Sequence, residues 1–391
     1  MAQDSGLRTR GFRRSAAWVG AVIGLADLLL AIWIVLPPPS HVFVPLAVGA
    51  PEVSGWLFAA AIVAGSLTAI ALRRSGIARA GAVCSIAAAA LSSIPLARFA
   101  SVARLAAEER RAATGDGSVA ALDVSELFFG LENGPASITR GIRFAAPGGV
   151  PLTIDVYRPQ SGPVRASIVQ IYGGAWQRGA PGDDAGLASA FASLGYVVFA
   201  IDYRHAPAFR WPAELDDVRT GIDWVAAHGR EYGGDPDRLV ILGRSAGAHL
   251  ALVAAYTSTH PVRAVVSLYG PTDLAAGYRE LPQPDPMDVR GLLRALTGGT
   301  PDDRPDVYRD ASPTTYVTRP LPPTLLIHGL RDHIVLPRFA ERLHDRLRAS
   351  GTTSLLVEIP WAEHAFDAIP NGPSAQLARF EIERFLAWEF R

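Results

Sequence analysis

The pentapeptide Gly243-Arg244-Ser245-Ala246-Gly247 dictates more about local structure than any other segment of this chain. It follows the apolar run Leu239-Val240-Ile241-Leu242 and precedes the helix-like stretch Ala248 to Ala255. A serine held between small residues, with a strand before it and a helix after it, sits on a sharp and strained turn. Larger neighbours would collide with the strand or the helix. The turn lifts the hydroxyl above the end of the strand and sets the positive end of the helix beneath it. Ser245 is therefore a candidate nucleophile, and a nucleophilic serine needs a base and an acid.

Histidines after Ser245 are His249, His260, His328, His333, His344 and His364. The order Ser, acid, His belongs to this strand–turn–helix arrangement and favours a histidine beyond the acid. Pro322 to Gly329 reads as a buried strand, and Leu330-Arg331-Asp332 forms the loop at its carboxyl end, where sites collect in open sheets. Asp332 is the expected acid, with Asp273, which also follows a strand, as its competitor. His333 is too close in sequence to swing back onto Asp332. His344 lies in an arginine-rich amphipathic helix and is expected on its solvated face. His364 follows the strand Ser354 to Ile359 and is the expected base. Donors for a tetrahedral oxyanion are expected from Gly173 and Gly174, just after the strand Ala166 to Ile171, and from the N–H of Ala246.

From Ile138 onward strands alternate with helical patterns, beginning with an antiparallel pair around Gly141–Phe144 and Leu152–Tyr157. The expected fold class is α/β, a mostly parallel central sheet flanked by helices. Residues from about 139 to 391 resemble the α/β-hydrolase carboxylesterase/lipase group related to hormone-sensitive lipase and the bacterial HGGxW-type esterases. The resemblance is carried by Val156-Tyr157-Arg158-Pro159, Tyr172-Gly173-Gly174-Ala175-Trp176, Asp202 to Pro207, Gly243 to Gly247, Asp310 to Pro313, His328 to Asp332 and Glu363 to Phe366. Two positions depart from it. Tyr172 stands where the family usually has His, which alters support of the oxyanion loop. Arg244 replaces an Asp or Glu and is expected to make the pocket rim more basic. Trp176, His205 and Trp211 are candidate pocket residues that packing explains equally well. Gly270 to Arg319, rich in Pro, Asp and Gly, is expected to help cover the site.

The first hundred residues differ in kind. Ala16 to Leu36 is an apolar span whose only charge is Asp27, long enough to cross a bilayer. Ser54 to Leu72 and Ala80 to Ala97 are further candidates, the last weakened by Ser residues and Pro95. The expected organisation is a membrane region over 1–100 with three helices (16–36, 54–72, 80–97), a connector over 101–138, and a catalytic domain over 139–391. Asp27 is either functional or a packed polar contact. Formal charge is zero and no basic block resembles a nucleic-acid arm, which argues against a polyanion partner. All 37 basic residues are arginine, which removes a P-loop lysine, a Schiff-base lysine and a Ser–Lys dyad. The single cysteine, Cys84, excludes an internal disulfide, no metal spacing is evident, and no cofactor is expected.

The resemblance implies a serine hydrolase acting on a small-molecule or lipid ester, and the apolar spans add a membrane anchor; the resemblance and the polar character of Gly270 to Arg319 together give an expected preference for short to medium acyl chains. An acyltransferase, peptidase or amidase using the same three residues is the rival within enzymes, and a catalytically silent binding module the rival outside them. Arg8, Arg10, Arg13 and Arg14 before the first span and Arg73, Arg74 and Arg79 after the second mark cytoplasmic flanks, whereas 37–53 carries no arginine. The catalytic domain is accordingly expected on the extracytoplasmic side, against the counter-signal of Arg98, Arg104, Arg110 and Arg111.

Overall fold

A computed structural model describes residues 2–70, 75–131, 134 and 136–391, with side chains from residue 11 onward. Arg73 and Arg74, and the end of the second expected span at Leu72, lie outside the described residues, as do the side chains of Arg8 and Arg10.

Four helices open the chain: α1 (Ala2–Ala31), α2 (Val44–Glu52), α3 (Ser54–Ala69) and α4 (Gly76–Thr114). Gly11–Ile34 and Gly76–Thr114 are long and apolar enough to cross a membrane, and α2 with α3 forms a third apolar pair bent by 78°. The segments α1, α3 and α4 pack mutually where small residues let backbones approach. A Cβ on Gly81 would stand 2.6 Å from Ala21 Cα, and one on Gly20 2.8 Å from the Ala64 carbonyl oxygen. Asp27 is buried among these helices, and no hydrogen-bond partner among the described residues meets its carboxylate.

The α4 helix begins at a Ser75 cap and ends where Gly115 turns left-handed at φ 80°. It runs unbroken through Pro95, so the division expected between a membrane region ending at 100 and a connector from 101 falls inside one helix. Its apolar positions continue past that point at helical spacing. Phe99, Val102, Ala103 and Ala106 are buried in the same core cluster as Leu325, Val357 and Phe385. Arg110, also buried, pairs with Glu381.

Beyond α5 (Val124–Phe129) comes an eight-stranded sheet in the order β1-β2-β4-β3-β5-β6-β7-β8. The strands are β1 (Ala136–Ala145), β2 (Leu152–Pro159), β3 (Ser167–Ile171), β4 (Val197–Ile201), β5 (Leu239–Arg244), β6 (Ala264–Leu268), β7 (Thr324–Gly329) and β8 (Ser354–Ile359). Pairing is antiparallel for β1–β2 and β2–β4 and parallel from β4 to β8. Every residue of β3, β4, β6 and β7 is buried, as expected where helices cover both faces. The helices are α6 (Ala185–Ser193), α7 (Ala213–His228), α8 (Ala246–Thr257), α12 (Arg338–Ala349) and α13 (Pro373–Glu389). Between β6 and β7 the chain makes an excursion of three short helices, α9 (Leu274–Arg279), α10 (Val289–Thr297) and α11 (Pro305–Asp310). The carboxyl ends of β3, β5, β7 and β8 thus gather their loops at one edge.

Candidate active site

Ser245 is forced into position by its glycines. Its own φ of 52° is a strained value for a residue with a side chain. A Cβ on Gly243 would lie 2.3 Å from the Gly247 carbonyl oxygen, and one on Gly247 2.2 Å from that of Ile171. Only hydrogen fits at either place, so strand β5, helix α8 and the end of β3 close tightly under the serine.

His364 reaches Ser245 from the loop after β8, its Nε2 standing 2.8 Å from the serine Oγ. Its Nδ1 lies 2.8 Å from Asp332 Oδ2. The sequence-expected serine, acid and base are therefore brought together in one line. Asp332 is 3% exposed, and both of its oxygens are engaged. Oδ1 accepts from the backbone N–H groups of Ile334 and Val335, and His328 Nε2 lies 3.1 Å from Oδ2. Burial works against the charge, but the facing imidazoles of His364 and His328 outweigh it and hold the carboxyl well below the usual carboxylate range. Asp273 is used elsewhere, where its carboxylate caps α9 by accepting from the Ala276 N–H at 2.9 Å. It is not the partner of His364.

The loop after β3 carries unusual backbone. Gly174 has φ 120°, Ala175 55° and Trp176 60°, and a Cβ on Gly174 would stand 2.0 Å from the Arg178 carbonyl oxygen. A Cβ on Gly173 would meet Ser245 Cβ at 3.2 Å, so that glycine passes close beside the serine. Among the described residues no backbone acceptor takes the N–H of Gly173 or Gly174, and Ala246 opens α8, where an N–H has no partner within its own helix. Tyr172 fastens this loop in place of the expected histidine. Its hydroxyl donates to Asp202 Oδ1 at 2.6 Å and lies 3.0 Å from His205 Nε2, and its ring stacks on Tyr203 at 4.5 Å.

Two expectations need correction. Arg244 does not make the rim more basic, because its guanidinium turns away and is neutralised by Asp184 and Asp367 while donating to the Tyr269 hydroxyl. A half-buried guanidinium is stabilised by such partners. His344 is not on a solvated face; it is buried, with Nδ1 2.9 Å from Ser354 Oγ, because α12 lays that side against β8.

Three supporting groups escaped sequence reasoning. Tyr269 sets its ring edge-on to His364 at 4.6 Å. His333 pairs with Glu363 at 2.6 Å, joining the residues that immediately follow the acid and precede the base. Burial opposes protonation of His333, but the Glu363 carboxylate outweighs it and raises the imidazole's pKa. His249, one turn into α8, accepts the Trp176 Nε1–H at 3.1 Å and lies 2.6 Å from the Ala311 carbonyl, which fixes its tautomer. Trp211 is tied to Asp310 at 2.7 Å.

Ser245 and Ala246 open onto a cleft. Its walls are apolar, drawn from the excursion (Leu274, Val289, Leu293) and from the acid loop and α12 (Ile334, Val335, Phe339). Gly270 to Arg319 does cover the site. A serine activated by an imidazole, beside unpaired N–H groups and an apolar cleft, can attack an acyl carbonyl. Among the described residues no group of three or more His, Cys, Asp or Glu is arranged to hold a metal.

The family model described as BD-FAE matches residues 154–347. The "Probable carboxylic ester hydrolase LipM" of Mycobacterium tuberculosis is 36% identical over 234 residues, 56% of this chain and 53% of that protein. "Esterase LipC" of the same organism is 36% identical over 242 residues, covering 57% and 59%. Over its sheet-bearing part the chain is similar in sequence and fold to α/β-hydrolase esterases. Among solved structures, the butyrate-bound esterase Est2 of Thermogutta terrifontis superposes with a TM-score of 0.53 at 25% identity, over 64% of this chain and 93% of that one. The chain spans little more than half the length of the curated relatives LipM and LipC.

Proposed function

We propose that this chain is a membrane-anchored carboxylic ester hydrolase that works through Ser245, His364 and Asp332. The observation that carries the reading is the unbroken line of two 2.8 Å contacts from Ser245 Oγ through His364 to Asp332, at the foot of an apolar cleft. His364 removes the serine proton as Oγ attacks the ester carbonyl, and Asp332 holds the imidazole tautomer and stabilises the imidazolium. The N–H groups of Gly173, Gly174 and Ala246 receive the oxyanion. The alcohol leaves with the proton from His364, and water activated by the same imidazole then frees the acid from the acyl-enzyme.

The acyl chain in this reading is short to medium; the apolar lining of the cleft, with Leu293 and Phe339, supports an apolar acyl group, and the Thermogutta esterase was solved with butyrate bound. Three crossings by α1, α3 and α4, with the hydrolase outside, agree with a feature of the packing. The 37–53 segment, free of arginine, lies against the hydrolase through α2 and so shares its side of the bilayer. The test is labelling of the full chain with a fluorophosphonate, followed by p-nitrophenyl esters of increasing acyl length. Labelling lost in Ser245→Ala, with turnover greatest on short to medium chains, supports the reading. An unlabelled wild-type protein, or faster turnover of emulsified long-chain triglyceride, overturns the corresponding part.

A further inference from the structure

By its sequence the segment between the first two apolar spans is a loop, yet its helix α2 is buried against the hydrolase. Glu52, the last residue of α2, is 1% exposed and serves another helix rather than its own. Glu52 Oε1 accepts from Ser374 Oγ at 2.6 Å, and Oε2 accepts from the Ser374 backbone N–H at 3.0 Å. Ser374 is in the first turn of α13, so the carboxyl group takes up a donor that the helix cannot satisfy itself; burial outweighs these bonds and pushes its pKa up to about 8. Gly372 makes room: a Cβ there would stand 2.4 Å from Glu52 Oε2.

The chain of bonds does not stop at Ser374. Its hydroxyl also accepts the indole N–H of Trp361 at 2.9 Å, and Trp361 is buried in the loop that carries His364. The acid loop is gripped from the same side. Arg331, the neighbour of Asp332, donates through Nη2 to the Val35 carbonyl at 2.5 Å and through its backbone N–H to the Ala362 carbonyl at 3.0 Å. The loops bearing acid and base are therefore both fastened to residues 35–52.

From this geometry we infer that α2 is a structural part of the active site, and that Glu52 is a positioning residue for His364, acting through Ser374 and Trp361. The inference rests on the proposed hydrolase chemistry for its readout. Its physical basis is the steep dependence of an acyl transfer on the placement of the base. A side chain set loose by about 1 Å costs up to roughly 100-fold in rate, even when the altered residue never touches substrate. The carboxyl oxygen of Glu52 fixes the Ser374 hydroxyl rotor, the hydroxyl then presents its lone pair to Trp361, and the indole holds the loop at the height where His364 Nε2 meets Ser245.

The test uses the full chain in detergent or nanodiscs, with Glu52→Ala, Glu52→Gln, Ser374→Ala, Trp361→Phe and the Glu52→Ala/Ser374→Ala double variant. Measured quantities are kcat and KM on a water-soluble short ester, the acid limb of kcat/KM against pH, and the rate of fluorophosphonate labelling. Glu52→Ala and Ser374→Ala should each lower kcat and labelling by about 10-fold or more with KM unchanged, and should move the acid limb. The double variant should be no slower than the worse single one, because both break one chain of contacts. Glu52→Gln, which keeps an acceptor oxygen, should recover part of the rate. Trp361→Phe removes the N–H while keeping an aromatic ring, and should reproduce the effect if the other changes prevent folding. Folded variants with wild-type kcat, labelling rate and acid limb would show that Glu52 merely fastens two parts of the protein and would overturn the inference. A wild-type protein that is itself unlabelled overturns the hydrolase reading, and this inference with it.

Discussion

Ser245 is the residue whose loss should be cleanest, because the elbow serine fills no core space. Ser245→Ala is expected to abolish ester turnover while leaving the thermal unfolding midpoint nearly unchanged, and circular dichroism on heating checks the second half. Asp332→Asn is expected to lower kcat by about 10^4-fold, since the amide offers His364 the wrong hydrogen-bond pattern. Asp273→Asn should cost far less, because Asp273 caps α9 rather than meeting the imidazole. The reverse ranking in steady-state kinetics would remove Asp332 from its role. His249 sets a pH limit of a different kind. Burial pushes its imidazole down to about 4 in the folded protein, against 6.5 for an exposed group. Between those values the unfolded chain holds a proton that the folded chain does not, so stability falls as pH drops from 6.5 towards 4 and is unaffected by this group above. The loss amounts to about 3 kcal/mol at the acid end. Urea unfolding across that window should show it, and His249→Asn, which keeps an acceptor for Trp176, should flatten the curve.

At the scale of elements, the strand–elbow–helix unit from β5 to α8 is the least tolerant part of the fold. Gly247→Ala forces a Cβ against the Ile171 carbonyl oxygen and is expected to cost more than about 3 kcal/mol, or to prevent folding altogether. The urea midpoint of the full chain measures it, with Gly76→Ala, where nothing lies within 4 Å, as the control for a glycine with room. This unit was legible in the sequence because its demands are local: an apolar run, small residues and a helix follow one another without interruption. The sheet was legible for the same reason, through buried runs such as Val197–Ile201. What could not be read depends on partners distant in the chain. Arg244 has the sequence context of a rim charge, and only Asp184 and Asp367, far away in the chain, enclose it. His344 lies in a segment of charged residues, and only the approach of α12 to β8 decides which way it faces. The α2 helix carried a signal that went unread, since Val44-Pro45-Leu46-Ala47-Val48 has proline where a helix begins and apolar residues after it.

For the whole molecule, the arrangement of α1 to α4 makes a prediction about sides of the membrane. The hydrolase and the 37–53 segment are in contact and share one side, so the N-terminus and the residues around Arg79 belong on the other if α1, α3 and α4 all cross. A reporter fused after Arg391 of the full chain tests which side is which. Alkaline phosphatase activity is expected, and fluorescence from green fluorescent protein at the same junction, with no phosphatase activity, would reverse the orientation. The length of α4 has a mechanical consequence. Its 39 residues span roughly 58 Å as one helix, packed at one end among the apolar helices and at the other in the hydrolase core. A rod of that kind passes on torque. Lipids that thicken or thin a bilayer change the lean of a spanning helix; if α4 crosses, the domain fixed to its far end must lean with it, and the lipid then sets the tilt of the cleft over the membrane surface.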